Sequence, residues 1–180
     1  MLRISGGQLK GHKIFIKSSK VKPTSELVRQ AIFNTVEVEN LSFLDVFCGT
    51  GIVGIEALSR GASFVCFVDN DNSLIQQLKE NLLKLEIHQE KYKIIKANWE
   101  SSIKILEKEN KKFDIVFLDP FYNFKDYQKL LNSLSPIIHP YSIIILEHSS
   151  RTKIELPQPI LIDQKTYGET ILKFISLTKP

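Results

Sequence analysis

The sequence predicts an α/β protein: a doubly wound, mostly parallel seven-stranded sheet with an antiparallel C-terminal hairpin and a short N-terminal β extension. Three observations carry this. Five apolar runs, LSFLDVF (41–47), SFVCFVD (63–69), YKIIKA (92–97), FDIVFLD (113–119) and SIIILEH (142–148), alternate with helical stretches near 52–60, 72–85, 100–109 and 125–134. These runs are apolar almost throughout, the mark of parallel strands covered by helices on both faces and joined by right-handed crossovers. Two further β runs, PILIDQ (159–164) and TILKFISL (170–177), are separated only by KTYGE. That link is too short for a crossover, so the pair forms a hairpin and one member runs antiparallel.

The elements follow in order. Short β pieces around Arg3–Ile4 and Lys13–Ile16 flank a Gly6–Gly7 turn signal. In KPTSELVRQAIFNTV, Thr24 is placed as an N-cap and Glu26 in the first turn, with Leu27, Val28, Ala31, Ile32 and Thr35 at helical spacing. The sheet alternation then runs from 41 to 177 with no internal repeat, low-complexity tract or linker. Residues 1–180 are therefore expected to form a single domain, with 1–22 as an N-terminal extension.

Composition narrows the functional classes. No apolar stretch approaches the roughly 18–20 residues of a membrane span, and the N-terminus lacks an apolar signal region. Cys48 and Cys66 stand in apolar contexts without metal-ligand spacing, which suggests reduced, buried thiols in a cytoplasmic protein. His12, His88, His139 and His148 are scattered, so no metal site is expected. Glu147–His148 ends a strand and reads as a polar terminus, with a place lining the crevice as the alternative. The net charge of +4 is unevenly placed: residues 1–22 carry Arg3, Lys10, Lys13, Lys17, Lys20 and Lys22 and no acid. Such an arm is either a solvated surface or a face for nucleic-acid phosphates.

Seven of the eight glycines fall in GGQLKG (6–11) and GTGIVGIEALSRG (49–61). The second group follows a strand and opens a helix, where glycines allow a tight turn and a close backbone approach to a ligand. Gly49-x-Gly51-x-x-Gly54 matches the dinucleotide fingerprint, with Asp69 ending the next strand. Three readings compete: a dinucleotide, S-adenosylmethionine, and a ligand-free turn. Asp45, four residues before Gly49, favours S-adenosylmethionine, because a carboxylate repels pyrophosphate but attracts the cationic amino group of methionine. Asp69 suits either cofactor as an acceptor for ribose hydroxyls.

The run 113–118 ends in Asp119-Pro120-Phe121-Tyr122. In an open parallel sheet, ligands bind beyond the carboxyl ends of the strands where strand order reverses. If the first and fourth sheet strands flank that point, Asp119 and the glycine turn share one crevice. A base amine is a poor nucleophile because its lone pair is delocalised into the ring. A carboxylate and the next carbonyl can accept both its N–H groups while an aromatic ring stacks on the base. Plain turn chemistry is the competing reading of Asp-Pro at a strand end.

These stretches resemble class I methyltransferases that act on amino groups, whose motif reads Asp/Asn-Pro-Pro-Tyr/Phe. The whole chain resembles the bacterial 16S rRNA guanine-N2 methyltransferases, the RsmD family. RISGGQLKGHKI (3–14), KPTSELVRQAIFN (22–34), LDVFCGTGIVGIEALSRGA (44–62), FVDND (67–71), the DPFY site and YGETILKF (167–174) carry it. The resemblance implies the Rossmann-like class I methyltransferase sheet and methyl transfer from S-adenosylmethionine to the N2 amine of a guanine. The substrate would be 16S rRNA in the small ribosomal subunit or an assembly intermediate. By position it implies that Asp45, Phe47, Gly49, Thr50 and Gly51 line the methionine end of the cofactor. Asp69 would hold the ribose, and Asn70, Asn98 and Trp99 would lie by the adenine. Asp119, Pro120, Phe121 and Tyr122 would form the catalytic site. Arg3, Lys10, Lys13, Lys22 and Arg29 would face RNA. Phe121 stands where the family has its second proline, and Tyr122 is expected to stack on the base. Losing that proline either loosens the site or is offset by inward packing of Phe121. Adenine-N6 or another planar amine, such as a glutamine amide, is the alternative acceptor. An RNA-binding assembly factor with weakened catalysis is the alternative class. A monomer is expected.

Overall fold

The computed structural model describes residues 2–16, 22–154 and 160–176. Lys17, Lys20, Pro159 and Leu177, which the sequence reading includes, lie outside the described residues. β1 (Leu2–Arg3) and β2 (Lys13–Ile14) pair antiparallel as a small separate sheet. They are followed by α1 (Glu26–Thr35), β3 (Ser42–Val46), α2 (Ile52–Ser59), β4 (Phe64–Asp69), α3 (Asn72–Lys84), β5 (Tyr92–Lys96) and α4 (Trp99–Lys108). Then come β6 (Phe113–Leu118), α5 (Tyr127–Ser133), β7 (Ile138–Ser149), β8 (Ile160–Tyr167) and β9 (Thr170–Ser176). The main sheet has the order β5-β4-β3-β6-β7-β9-β8. Pairs through β7 are parallel, while β7–β9 and β8–β9 are antiparallel. The expected seven-stranded sheet is present, and the strand order reverses between β3 and β6.

Local chemistry moves several boundaries. α1 is capped by Ser25, whose hydroxyl accepts from the Val28 N–H at 3.3 Å; Thr24, expected as the cap, lies one residue earlier, beside Asp119. The C-terminal hairpin is tighter than KTYGE suggested. Tyr167 pairs with Thr170, leaving a two-residue turn in which Gly168 takes φ 60°. Two-residue hairpin turns require such positive φ, which glycine adopts without strain.

Strand alternation sorts the core into two layers. Phe43, Val65, Phe67, Ile115, Phe117 and Ile145 pack with α1, α2, α3 and the N-terminal pieces, including Ile4, Ile14, Ile32 and Leu78. Leu44, Val46, Val116, Leu118 and Leu146 pack on the other face with α4 and α5. Cys48 and Cys66 are free and buried, as the sequence suggested.

The N-terminal pieces are fastened by a buried ion pair. Arg29, 1% exposed, donates from Nε to Glu56 Oε2 at 2.8 Å, and Glu56 has no exposed side-chain surface. The other guanidinium nitrogens reach the carbonyls of Thr24 at 2.7 Å and Arg3 at 2.8 Å. Glu56 also accepts from Ser5 and from Arg60. Burial pushes the Glu56 carboxyl up, but donors from Ser5, Arg29 and Arg60 outweigh it and hold the group below its ordinary range. Arg29 is therefore not an RNA contact. Its side chain is spent inside the fold, clamping the extension and the start of α1 to α2.

Candidate active site at the carboxyl edge of the sheet

Asp45 of β3 is in register with Phe67 of β4 and Phe117 of β6, and Phe117 with Ile145 of β7. Two residues further along each neighbouring strand stand Asp69, Asp119 and Glu147. A two-residue step returns to the same face, so four carboxyls from four adjacent strands gather on one face at the carboxyl edge. They surround the point where strand order reverses.

Two of them brace the glycine turn. Asp45 Oδ2 accepts from the Gly54 N–H at 3.0 Å. Asp69 Oδ2 accepts from the Gly49 N–H at 2.8 Å, and its Oδ1 from the Asp71 N–H at 2.9 Å. The turn is tightly wound: Phe47, Gly49 and Gly51 take φ of 63°, 52° and 73°. Gly51 and Gly54 answer to packing. A Cβ on Gly51 would lie 2.4 Å from Leu78 Cδ1, and one on Gly54 2.3 Å from Phe67 Cε1.

A cavity of about 640 Å³ opens beside this turn, within the size of typical small-molecule sites. Its walls include Phe47, Gly49, Asp69, Asn70, Asn98, Trp99, Lys22 and the whole Asp119–Tyr122 segment. A side cavity of about 20 Å³, large enough for a water, is bordered by Asp45, Thr50, Thr24 and again Asp119 and Lys22. Asp45 thus faces the site from the side cavity. Gly51 borders neither, because its N–H is used on the Cys48 carbonyl at 2.7 Å and its α-carbon faces Leu78; the expectation that it touches the cofactor is corrected. Asn98 caps α4, accepting from the Ser101 N–H at 2.8 Å, which leaves its amide NH₂ to offer.

The carboxyls are crowded. Asp45 is 1% exposed, and its Oδ1 has no hydrogen-bond partner among the described residues. Burial pushes its pKa up to about 8, with the charges of Asp119 and Asp69 adding to the rise against the Gly54 hydrogen bond. Burial raises Asp119 to about 7, opposed by a hydrogen bond from the Thr24 side chain. Glu147 rises to about 9 through burial and then the Asp119 charge, with Lys22 pulling the other way. Its Oε2 is buried and has no partner among the described residues. Such a cluster favours a cationic occupant over an anionic one.

Phe121 and Tyr122 form an open rim, 65% and 71% exposed. Phe121 does not pack inward: its ring sits edge-on to Phe47 at 6.5 Å and to Phe124 at 5.5 Å. Phe124 continues the contact to Trp99 at 6.2 Å and Tyr127 at 5.1 Å. Aromatic packing around Phe124 therefore anchors the loop where a second proline is absent.

The described start of the basic extension, residues 2–14, lies elsewhere. Gln8 N–H reaches the Ser59 carbonyl at 2.7 Å and Leu9 N–H the Ser59 hydroxyl at 2.8 Å, at the far end of α2 from the glycine turn. An eight-residue helix separates them, about 12 Å. Arg3 and Lys10 belong to that end, and Lys13 sits in the β2 strand beside it; Lys22 alone of the named cations borders the cavity. Of the two readings the sequence leaves for Glu147, a polar strand end or a place by the crevice, the second fits its position beside Asp119, and alternation from Ile145 points it to the same face. Thr24 borders the side cavity with Asp119.

A family model described as conserved hypothetical protein 95 matches residues 2–176. The chain belongs to this family. It is 32% identical over 160 residues to "Ribosomal RNA small subunit methyltransferase D" of Buchnera aphidicola, covering 86% of this chain and 82% of that protein. A protein of the same name from Haemophilus influenzae is 31% identical over 175 residues, covering 93% and 89%. The solved structure of yhhF from Escherichia coli superposes with a TM-score of 0.85 at 26% identity, covering 98% of both chains. Family membership spans the glycine turn, the four carboxyls and the N-terminal pieces alike.

Proposed function

We propose that this protein transfers a methyl group from S-adenosylmethionine to the N2 amine of a guanine in small-subunit (16S) ribosomal RNA. It would act as a cytoplasmic monomer on the small subunit or an assembly intermediate, with residues 1–180 as one catalytic unit. The observation that carries this reading is the gathering of Asp45, Asp69, Asp119 and Glu147 on one face at the strand-order reversal, with Asp69 and Asp119 in the cavity wall and Asp45 in the side cavity. Four acids crowded there suit a pyrophosphate poorly, which disfavours a dinucleotide. They suit a ligand bearing an ammonium and a sulfonium, and the orphaned Asp45 Oδ1 offers an acceptor, directly or through a water in the side cavity. The names of the relatives support the RNA substrate.

When bound, the cofactor supplies an electrophilic methyl on sulfur. Asp69 would accept from ribose hydroxyls, while Asn70, Asn98 and Trp99 would border the adenine. At the rim, the Asp119 carboxylate and the Pro120 carbonyl would accept the two N–H groups of the guanine amine and so free its lone pair for reaction. Tyr122 or Phe121 stacks on the base and fixes its plane. Asp119 or water would accept the proton that the amine loses on methylation. A carboxyl near pH 7 is well matched to that step.

Tritium transfer from S-adenosylmethionine onto 30S particles, naked rRNA, DNA and protein tests the reading. Label in guanine N2 of 16S rRNA is expected. Binding of the cofactor without label in any RNA would sink it and favour an assembly factor.

The pH dependence supplies a second test. The folded state keeps protons on Asp119, Asp45 and Glu147 up to about pH 7, 8 and 9, whereas an unfolded chain releases them near pH 4. Stability of the ligand-free protein should therefore fall between about pH 4 and pH 9. Glu56 and Asp114, whose carboxyls are held low, act below that window. Added S-adenosylmethionine should restore the loss, so its thermal shift is expected to be larger at pH 8 than at pH 5.5. An equal shift at both values would mean that the carboxyls do not face the cation.

A further inference from the structure

A base that enters the cavity brings its own phosphates to the rim, because enzymes that modify a base draw the nucleotide out of its stack or act on single strands. Four carboxyls line or back the site, and they oppose that approach. The extension that carries Arg3 and Lys10 docks at the far end of α2, so its charge cannot seat those phosphates.

Another cation stands at the rim. Arg151 follows β7 in a turn closed by the Thr152 N–H on the Ser149 carbonyl at 2.9 Å. This turn is tied to the β8–β9 hairpin by the Ser150 N–H on the Glu169 carbonyl at 2.8 Å. The guanidinium pairs with the Glu169 carboxylate, and both side chains are mostly exposed, 67% and 71%. It also lies close enough to the Tyr122 hydroxyl to interact with it electrostatically, and Tyr122 is part of the cavity wall. The guanidinium thus sits between the turn after β7 and the β8–β9 turn, near the ring that borders the base site.

An exposed ion pair of this kind is weak and screened by salt. A phosphate offers the guanidinium fork a stronger, bidentate partner. We propose that Arg151 is a phosphate-binding residue of the RNA site, exchanging Glu169 for a backbone phosphate flanking the guanine that enters the cavity. Glu169 holds the guanidinium in place until RNA arrives, and the Tyr122 hydroxyl links the seated phosphate to the aromatic rim. The inference rests on the reading of the site as an RNA methyltransferase.

The test is steady-state methylation of small subunits lacking the modification, across a salt series, with wild type, Arg151→Ala, Arg151→Lys and Glu169→Gln. In Arg151→Ala, KM for RNA is expected to rise about tenfold, and the loss is carried by KM rather than kcat. The slope of log affinity against log salt should shrink by about one. Lysine should restore the slope but only part of the affinity. Glu169→Gln should lower KM, since the competing carboxylate is gone. Unchanged KM and slope in Arg151→Ala, with wild type active, overturn the assignment while leaving the methyltransferase reading intact. A fall in kcat with an unchanged slope overturns it too, since Arg151 would then act only through Tyr122. A wild type that labels no RNA defeats the reading on which the assignment rests.

Discussion

Replacing Asp119 by alanine is expected to lower methyl transfer by about 10²–10³-fold or more, with cofactor affinity within a fewfold of wild type. The carboxylate belongs to the amine end of the cavity, in the segment running on to Pro120, Phe121 and Tyr122, whereas the cofactor would be held by the glycine turn and Asp69. The variant should fold. It removes a carboxyl that burial has pushed up to about 7, and it relieves Asp45 and Glu147 of one of the charges that raise them. Its thermal midpoint should match or exceed that of wild type at pH 8. Calorimetric titration of S-adenosylmethionine, single-turnover methylation and a melting curve separate the outcomes. Collapse of cofactor binding would show that Asp119 holds the cofactor instead of the amine.

Glu56→Gln should have the largest effect on stability. It leaves the Arg29 guanidinium, 1% exposed, without its charge partner and dependent on the carbonyls of Thr24 and Arg3. Breaking a buried pair in this way costs about 3–5 kcal/mol. In a chain of this size that is a fall of roughly 6–20 °C in midpoint, measurable by calorimetry or guanidinium titration. The damage should extend to the site, because Arg29 holds the Thr24 carbonyl and Thr24 reaches Asp119. A loss under about 1 kcal/mol would mean that water reaches the pair. Arg29→Met is the milder partner variant, since Glu56 keeps Ser5 and Arg60.

The sequence by itself determined the alternation of elements. Apolar runs of strand length separated by amphipathic stretches allow few arrangements, and a glycine turn after the first sheet strand marks where a ligand approaches. Asp45, Asp69 and Asp119 were legible because each ends or interrupts an apolar run near a turn. What the tertiary structure decided were matters of partnership. Arg29 reads as an outward cation on an amphipathic helix; its partner, Glu56, lies 27 residues away, and no local pattern encodes that pairing. Glu147 reads as a polar strand end until the β6–β7 register sets it beside Asp119. Gly51 reads as a ligand contact until Leu78 of α3 is seen to fill the space where a Cβ would stand. Arg3 and Lys10 read as part of the site until the hydrogen bonds of Gln8 and Leu9 to Ser59 place their segment at the opposite end of α2. The physical reason is the same in each case. Periodicity and turn chemistry are written within a few residues, whereas the partner of a charge or the neighbour of an α-carbon is set by how distant strands and helices pack.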